Sequence, residues 1–256
     1  MDAVKSFSLL TNNKINWWSD DMMAIWVPIA VYWIECTIFE IIRRAEIPFL
    51  EKYRLHTPEE QKRQNKVGFG KVLVMVALQH VVQMVLGIAL MKQQSPLADK
   101  LKYEAAISRY TAIALNVFTN LGQSKEKAML YATNAAIIAQ DYLRPTLQFV
   151  IAMLIVDTHQ YVLHRLAHTY TFLYKHMHSH HHRLYVPYAF GALYNHPLEG
   201  FLLDTCGAAI AFEVTGMSPR LGLIFFTFST MKTINDHCGY NFPWDPLNLL
   251  FNNNAI

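Results

Sequence analysis

The chain has 256 residues, 53% of them hydrophobic and 16% charged, with a formal net charge of +3 and a mean hydropathy of +0.15. Soluble domains average about 25% charged residues, so the composition leans to a membrane protein with a substantial polar part. The small net charge, with no long basic stretch interleaved with aromatics, argues against a nucleic-acid partner. Cys36, Cys206 and Cys238 are odd in number and far apart, and form no disulfide framework.

No N-terminal signal peptide is visible; the first apolar run starts near Met22. Residues 22–42 are long enough to span a bilayer, although Glu35 and Glu40 interrupt them. Carboxylates inside a span face protein or a wet cavity, or sit near the interface. Residues 43–71 hold eight Lys/Arg, the densest basic stretch near a span. Residues 70–91 form a second span, with His80 read as a packing or hydrogen-bonding residue. Residues 92–128 read as a polar loop with a short amphipathic helix, and 129–144 as weakly helical. Pro145 starts or kinks the next helix, and 146–163 form the third span. Residues 201–214 and 221–234 read as a helical hairpin turning at Gly216-Met217-Ser218-Pro219, either spanning or re-entrant. The fold expected is an all-α polytopic membrane bundle. The positive-inside rule puts 43–71 in the cytosol. Two further spans and the hairpin then return residues 164–182 and His237 to that same face. The six Lys/Arg of 92–128, which would be lumenal, pull against this orientation.

Two clustered boxes stand out among the twelve histidines. His164 and His168 form an H-x-x-x-H, and His178, His181 and His182 an H-x-x-H-H. Imidazoles at i, i+4 share a helix face, and neutral imidazoles converging on one point are how proteins hold transition metals. The adjacent His181 and His182 point about 100° apart on a helix, so they can reach two different ions. His196 and His237 add to the set, whereas His176 and His180 fall outside the pattern and read as supporting or solvated groups. His56 and His80 are expected elsewhere. All-nitrogen ligation suits iron, zinc or copper. Asp157 and Tyr161 lie on the same helix face as His164 and His168, placed to orient the ligands; alternatively Asp157 caps the helix or pairs with Arg165. Cys238, beside His237, is either a ligand or a reduced cysteine near the site.

These residues resemble the membrane fatty acid hydroxylase superfamily, and within it most closely the sphinganine C-4 hydroxylases. The resembling run starts at Asp157-Thr158 and passes through Tyr161, His164-Arg165, His168 and Phe172-Leu173-Tyr174-Lys175-His176. It continues through Tyr194-Asn195-His196-Pro197-Leu198-Glu199-Gly200 and Gly216-Met217-Ser218-Pro219-Arg220 to Asp236-His237-Cys238-Gly239. It covers roughly residues 145–256 and implies a hydroxylase domain there, behind an N-terminal membrane region at 1–144. The resemblance implies a di-iron centre held by His164, His168, His178, His181, His182 and His237. It puts Asp157, Tyr161, Asn195 and His196 in the second shell or on the substrate side. It further implies dioxygen as co-substrate and electrons from NAD(P)H through a cytochrome b5-type donor. The location implied is the endoplasmic reticulum membrane, with the site facing the cytosol. The substrate would be sphinganine or dihydroceramide, converted to the phytosphingosine form. A sterol oxidase or desaturase with the same boxes, or a non-catalytic metal-binding membrane protein, are the alternatives. Members of the family follow an Asn-Asn-Ala-like element with a third box, H-D-x-H-H. The given sequence stops at Asn253-Asn254-Ala255-Ile256, so as written the second ion is expected to lack about half its ligands.

Overall fold

The computed structural model describes residues 16–90 and 96–251; residue 91 and the Asn253–Ile256 element lie outside them. The described residues are helical, with one isolated antiparallel bridge between Arg54 and Tyr240. Helix α1 (Asp20–Ala45) starts at Ser19, whose side chain accepts from the Met22 N–H, and ends with Glu46 in the left-handed region at φ 46°. Two short helices follow, α2 (Pro48–Glu51) and α3 (Pro58–Gln64), the latter opened by a full Thr57/Glu60 capping box. Then come α4 (Phe69–Leu90), α5 (Pro96–Asn120) and α6 (Lys125–Ile138). A π-helical turn, Ala139–Leu143, joins α6 directly to α7 (Arg144–Thr169). Next are α8 (Thr171–His176), 3₁₀ turns at His178–Arg183 and Ala189–Gly191, α9 (Pro197–Gly200) and a second π turn, Phe201–Cys206. Helix α10 (Gly207–Thr215), α11 (Pro219–His237) and α12 (Pro246–Phe251) complete the chain.

Among the described residues, three helices are long and apolar enough to cross a membrane: Asp20–Ala45, Phe69–Leu90 and the continuous run Lys125–Thr169. The protein is therefore a multi-pass, all-helical membrane protein. Pro145 does not break the third helix. The π turn just before it widens the hydrogen-bonding ladder where the proline N–H is missing. The hairpin expected at 201–234 is present. Gly216 ends α10 at φ 59°, and Ser218 caps α11 by accepting from Leu221 N–H.

The polar loop expected over 92–128 needs correction: from Pro96 it is a 25-residue helix. Its charges are spaced as helical neighbours, with Lys100–Glu104 and Lys102–Asp99 both 3.8 Å apart. Alanines do the rest. Ala106 of α5 is buried, and so are Ala128, Ala132 and Ala136 of α6, each one turn from the next. Small side chains let α5 and α6 lie close as a hairpin, turning at Gly122 (φ 78°).

The main core joins distant segments: Tyr32 and Cys36 of α1, Val72 and Val76 of α4, Tyr188 to Tyr194, and Ile234 to Tyr240. Tyr32 donates its hydroxyl to the Phe190 carbonyl at 2.9 Å. Trp33 donates its indole N–H to His80 Nδ1 at 3.2 Å, which gives His80 a packing and hydrogen-bonding place. At the end of Glu40's helix, Arg43 and Arg44 pair with that carboxylate at 2.7 and 2.6 Å. The basic segment is tied to the histidine loop. Lys66 N–H donates to Arg183 C=O at 2.9 Å, and Asn65 makes a two-way pair with the backbone of Val186. Leu55 N–H reaches Gly239 C=O at 3.0 Å and Asn241 N–H reaches Tyr53 C=O at 2.8 Å. One end of the bundle thus gathers residues 53–66, 183–186 and 239–241.

Candidate metal centre

Helix α7 presents His164 and His168 on its last turns, one turn apart. Chain reversal through α8 lays the 3₁₀ turn His178–Arg183 against them. The result is a triangle of imidazole nitrogens: Nε2 of His168, His178 and His182 lie 3.0, 3.2 and 2.9 Å from one another. His164 joins from the side, its ring centroid 4.5 Å from that of His178 and 4.8 Å from that of His168. Ligand atoms of His164, His168 and His178 all fall within 4.8 Å of each other. His181 faces away from the triangle to His237, with ring centroids 5.8 Å apart, and sits 5.8 Å from His182. The six histidines thus form two adjoining groups.

The tautomers decide what these nitrogens can do. His178 directs Nδ1 to a carboxylate oxygen of Glu199, and both side chains are buried. His181 donates Nδ1–H to Tyr194 C=O at 3.1 Å, and His237 donates to Thr233 C=O at 2.8 Å. A neutral imidazole with its proton on Nδ1 has a bare lone pair on Nε2. Within the triangle His178 is anchored in this way, and three Nε2 lone pairs at 3 Å from one another would repel unless something positive lay between them. Imidazole nitrogens about 2.0–2.1 Å from one first-row ion are about 2.9 Å apart at right-angled coordination and about 3.4 Å at tetrahedral. The observed 2.9 to 3.2 Å lies within that range. The residues fit a transition-metal ion, with the Glu199 carboxylate holding the His178 ring behind the triangle and backbone carbonyls holding the neighbouring His181 and His237.

Electrostatics agree. Burial pushes His181 down to about 4, with His237 adding to the effect. Burial, then His178 and His168, lower His182. Both are neutral imidazoles at neutral pH. Burial alone would raise the Glu199 carboxyl, but the hydrogen bond from His178 outweighs it and holds Glu199 below its ordinary range. Burial pushes the Cys238 thiol up to about 12, and its Sγ–H donates to Tyr240 C=O at 3.3 Å. Cys238 is a buried thiol rather than a thiolate.

The remaining candidates are placed as follows. His196 caps α9: its Nδ1 accepts from Leu198 N–H at 3.3 Å, and its ring lies 5.1 Å from His180. His180 bonds Met177 C=O through Nδ1. The exposed His176 bonds Phe172 C=O. Asp157 is exposed, and Tyr161 is 58% exposed with its hydroxyl accepting from Arg165 at 2.8 Å. Asn195 hydrogen-bonds Asp204. His56 pairs with Glu60 at 3.5 Å. Two residues enter that spacing alone does not mark. Glu199 holds His178, and the Tyr174 ring lies 5.7 to 6.0 Å from those of His168, His178 and His182. The sequence marks the first only as a member of the Asn195-His196-Pro197-Leu198-Glu199-Gly200 run.

A model of the fatty acid hydroxylase family matches residues 149–255, which include all six of these histidines. Over 96% of its own length and 81% of the relative's, the chain is 40% identical to a sphingolipid C4-hydroxylase of Schizosaccharomyces pombe. The chain belongs to the fatty acid hydroxylase family. It is also 40% identical to sphinganine C4-monooxygenase 2 of Arabidopsis thaliana, over 93% of this chain and 76% of that one. A rice protein named very-long-chain aldehyde decarbonylase is 38% identical over 93% of this chain and 77% of its own. No solved structure matches. Within the fatty acid hydroxylase family, a histidine cluster of this chemistry is compatible with iron.

Proposed function

We propose that this protein is a sphingolipid C4-hydroxylase of the endoplasmic reticulum membrane. It adds a hydroxyl group at carbon 4 of sphinganine or dihydroceramide, giving the phytosphingosine form. The observation that carries the reading is the convergence of His164, His168, His178 and His182 in a chain that matches a C4-hydroxylase along 96% of its length. The first group of histidines would hold one iron, and His181 with His237 would contribute to a second. When bound, the metal supplies the oxidising power toward dioxygen that no side chain has. One oxygen atom enters the C–H bond and the other leaves as water. The two electrons come from NAD(P)H through a cytochrome b5-type donor, and two protons from solvent complete the water.

The chain's own part is to hold and shield. Glu199 and the carbonyls of Tyr194 and Thr233 keep the Nδ1 protons of His178, His181 and His237, so each Nε2 stays a ligand. The Tyr174 ring covers one side of the triangle. The basic segment 43–71 favours a cytosolic site, and the Lys66–Arg183 bond keeps that segment at the histidine end.

The test is expression of the protein from its complete gene in yeast lacking its own C4-hydroxylase. Phytosphingosine is expected, and His164→Ala should abolish it. An alkane one carbon shorter than a supplied aldehyde, or altered sterol intermediates, in place of phytosphingosine would overturn the assignment.

A further inference from the structure

A groove runs between α4 and residues 195–205, and its chemistry is mixed. Leu78, Val82 and Phe201 make an apolar wall, while Gln83, Asn195 and Thr205 add amide and hydroxyl groups. Leu78 is 55% and Val82 48% exposed, so the groove opens sideways on a helix apolar enough to cross a membrane. Gln79 and Gln83 sit one turn apart there. Polar side chains within a span face protein or a cavity rather than lipid. Gln79 is already satisfied: it donates to Asp204 at 2.9 Å. A Cβ on Gly200 would lie 2.5 Å from its amide oxygen, so a larger residue there would have to push the Gln79 amide aside. Thr205 differs. Its hydroxyl is buried and has no hydrogen-bond partner among the described residues. A buried hydroxyl without a partner destabilises the protein, and a ligand hydroxyl or amine in the groove would supply one.

The inner wall of the groove is continuous in sequence with the residues that hold the histidines. Asn195 follows Tyr194, whose carbonyl holds His181, and Pro197 is two residues before Glu199, which holds His178. We propose that this groove is the lateral entry and binding slot for the long-chain base. Hydrocarbon lies along Leu78, Val82 and Phe201, and the amino and hydroxyl groups of the head meet Gln83, Asn195 and Thr205. Occupancy by a sphingoid lipid follows from the pairing of a lipid-facing apolar wall with three polar groups beside the histidines. It rests on the C4-hydroxylase reading above.

A photoreactive, clickable sphinganine tests both in microsomes carrying the complete protein. Crosslinks are expected in peptides spanning residues 75–83 and 195–205. Leu78→Trp should raise KM by at least about tenfold with iron content unchanged. Val74→Trp, exposed on the same helix and outside the groove, should behave as wild type. Thr205→Val keeps the shape and removes only the hydroxyl; its KM should rise about three- to tenfold at near-constant kcat. Crosslinks elsewhere, or Leu78→Trp and Thr205→Val both matching Val74→Trp while phytosphingosine forms normally, would overturn the groove and leave the activity standing. Crosslinks in the groove with no C4 product at all would uphold the slot and overturn the activity instead.

Discussion

Glu199 acts on the histidine cluster from behind the proposed metal position. Its carboxylate fixes the tautomer of His178, whose Nε2 belongs to the nitrogen triangle. Loss of such a supporting group typically lowers metal affinity about 10–100-fold. Glu199→Ala should therefore lose iron under a chelator titration that leaves the wild type loaded, and Glu199→Gln should lie between. Equal retention by all three would show that His178 needs no anchor. His181 gives a pH signature. An unfolded histidine takes its proton near 6.5, whereas folded His181 resists until about 4. Between these values the unfolded chain binds a proton that the folded chain refuses, so stability falls as pH falls through the window. The loss is absent above about 6.5 and complete below about 4. Metal-free protein in detergent should show a falling Tm from pH 7 to 4.5, with a shallower fall in His181→Gln. At this scale the boxes were legible because i, i+4 spacing is a local fact about helices. Glu199 was not, since its contact with His178 closes across 21 residues by tertiary packing. Tyr161 shares a helix face with His164, yet the histidine loop covers only the last turns of α7, so its hydroxyl pairs with Arg165 instead.

At the scale of elements, the spans were legible from hydropathy and the 201–234 hairpin from its Gly-Met-Ser-Pro turn. The helix over 96–120 was hidden by its charges, which read as a loop until their i, i+3 and i, i+4 pairing is counted. Its partner stripe of Ala128, Ala132 and Ala136 is the stabilising feature. Ala132→Leu would force α5 and α6 apart. Overpacking of this kind costs about 1–3 kcal/mol, and thermal unfolding in detergent should show a lower Tm, while Ala132→Gly should cost about 1 kcal/mol. If Leu at 132 were neutral, the two helices would not be in contact along this face.

At the scale of the whole molecule, the centre is assembled from α7, the 178–183 turn, α9 and α11, and the core beneath it from α1, α4 and residues 186–240. Counting spans from the sequence brought His164, His182 and His237 to one end, and the backbone bonds from residues 55 and 66 to 239 and 183 give the same gathering. What counting could not give was depth. The run Lys125–Thr169 has 45 residues, about 67 Å of helix, against a hydrocarbon layer of about 30 Å. Gln140, Asp141 and Arg144 form a polar girdle near the π turn, with Tyr103 bonded to Asp141 at 3.2 Å and Arg144 to Gln140 at 3.3 Å. From Leu143 to His164 is 21 residues, about 31 Å of rise, one bilayer core. The charged hairpin of α5 and α6 cannot follow the girdle into oil, and the histidines end the apolar stretch at the other side. With that stretch across the hydrocarbon layer, the helix would act as a ruler, setting the height at which a lipid standing in the leaflet meets the histidines.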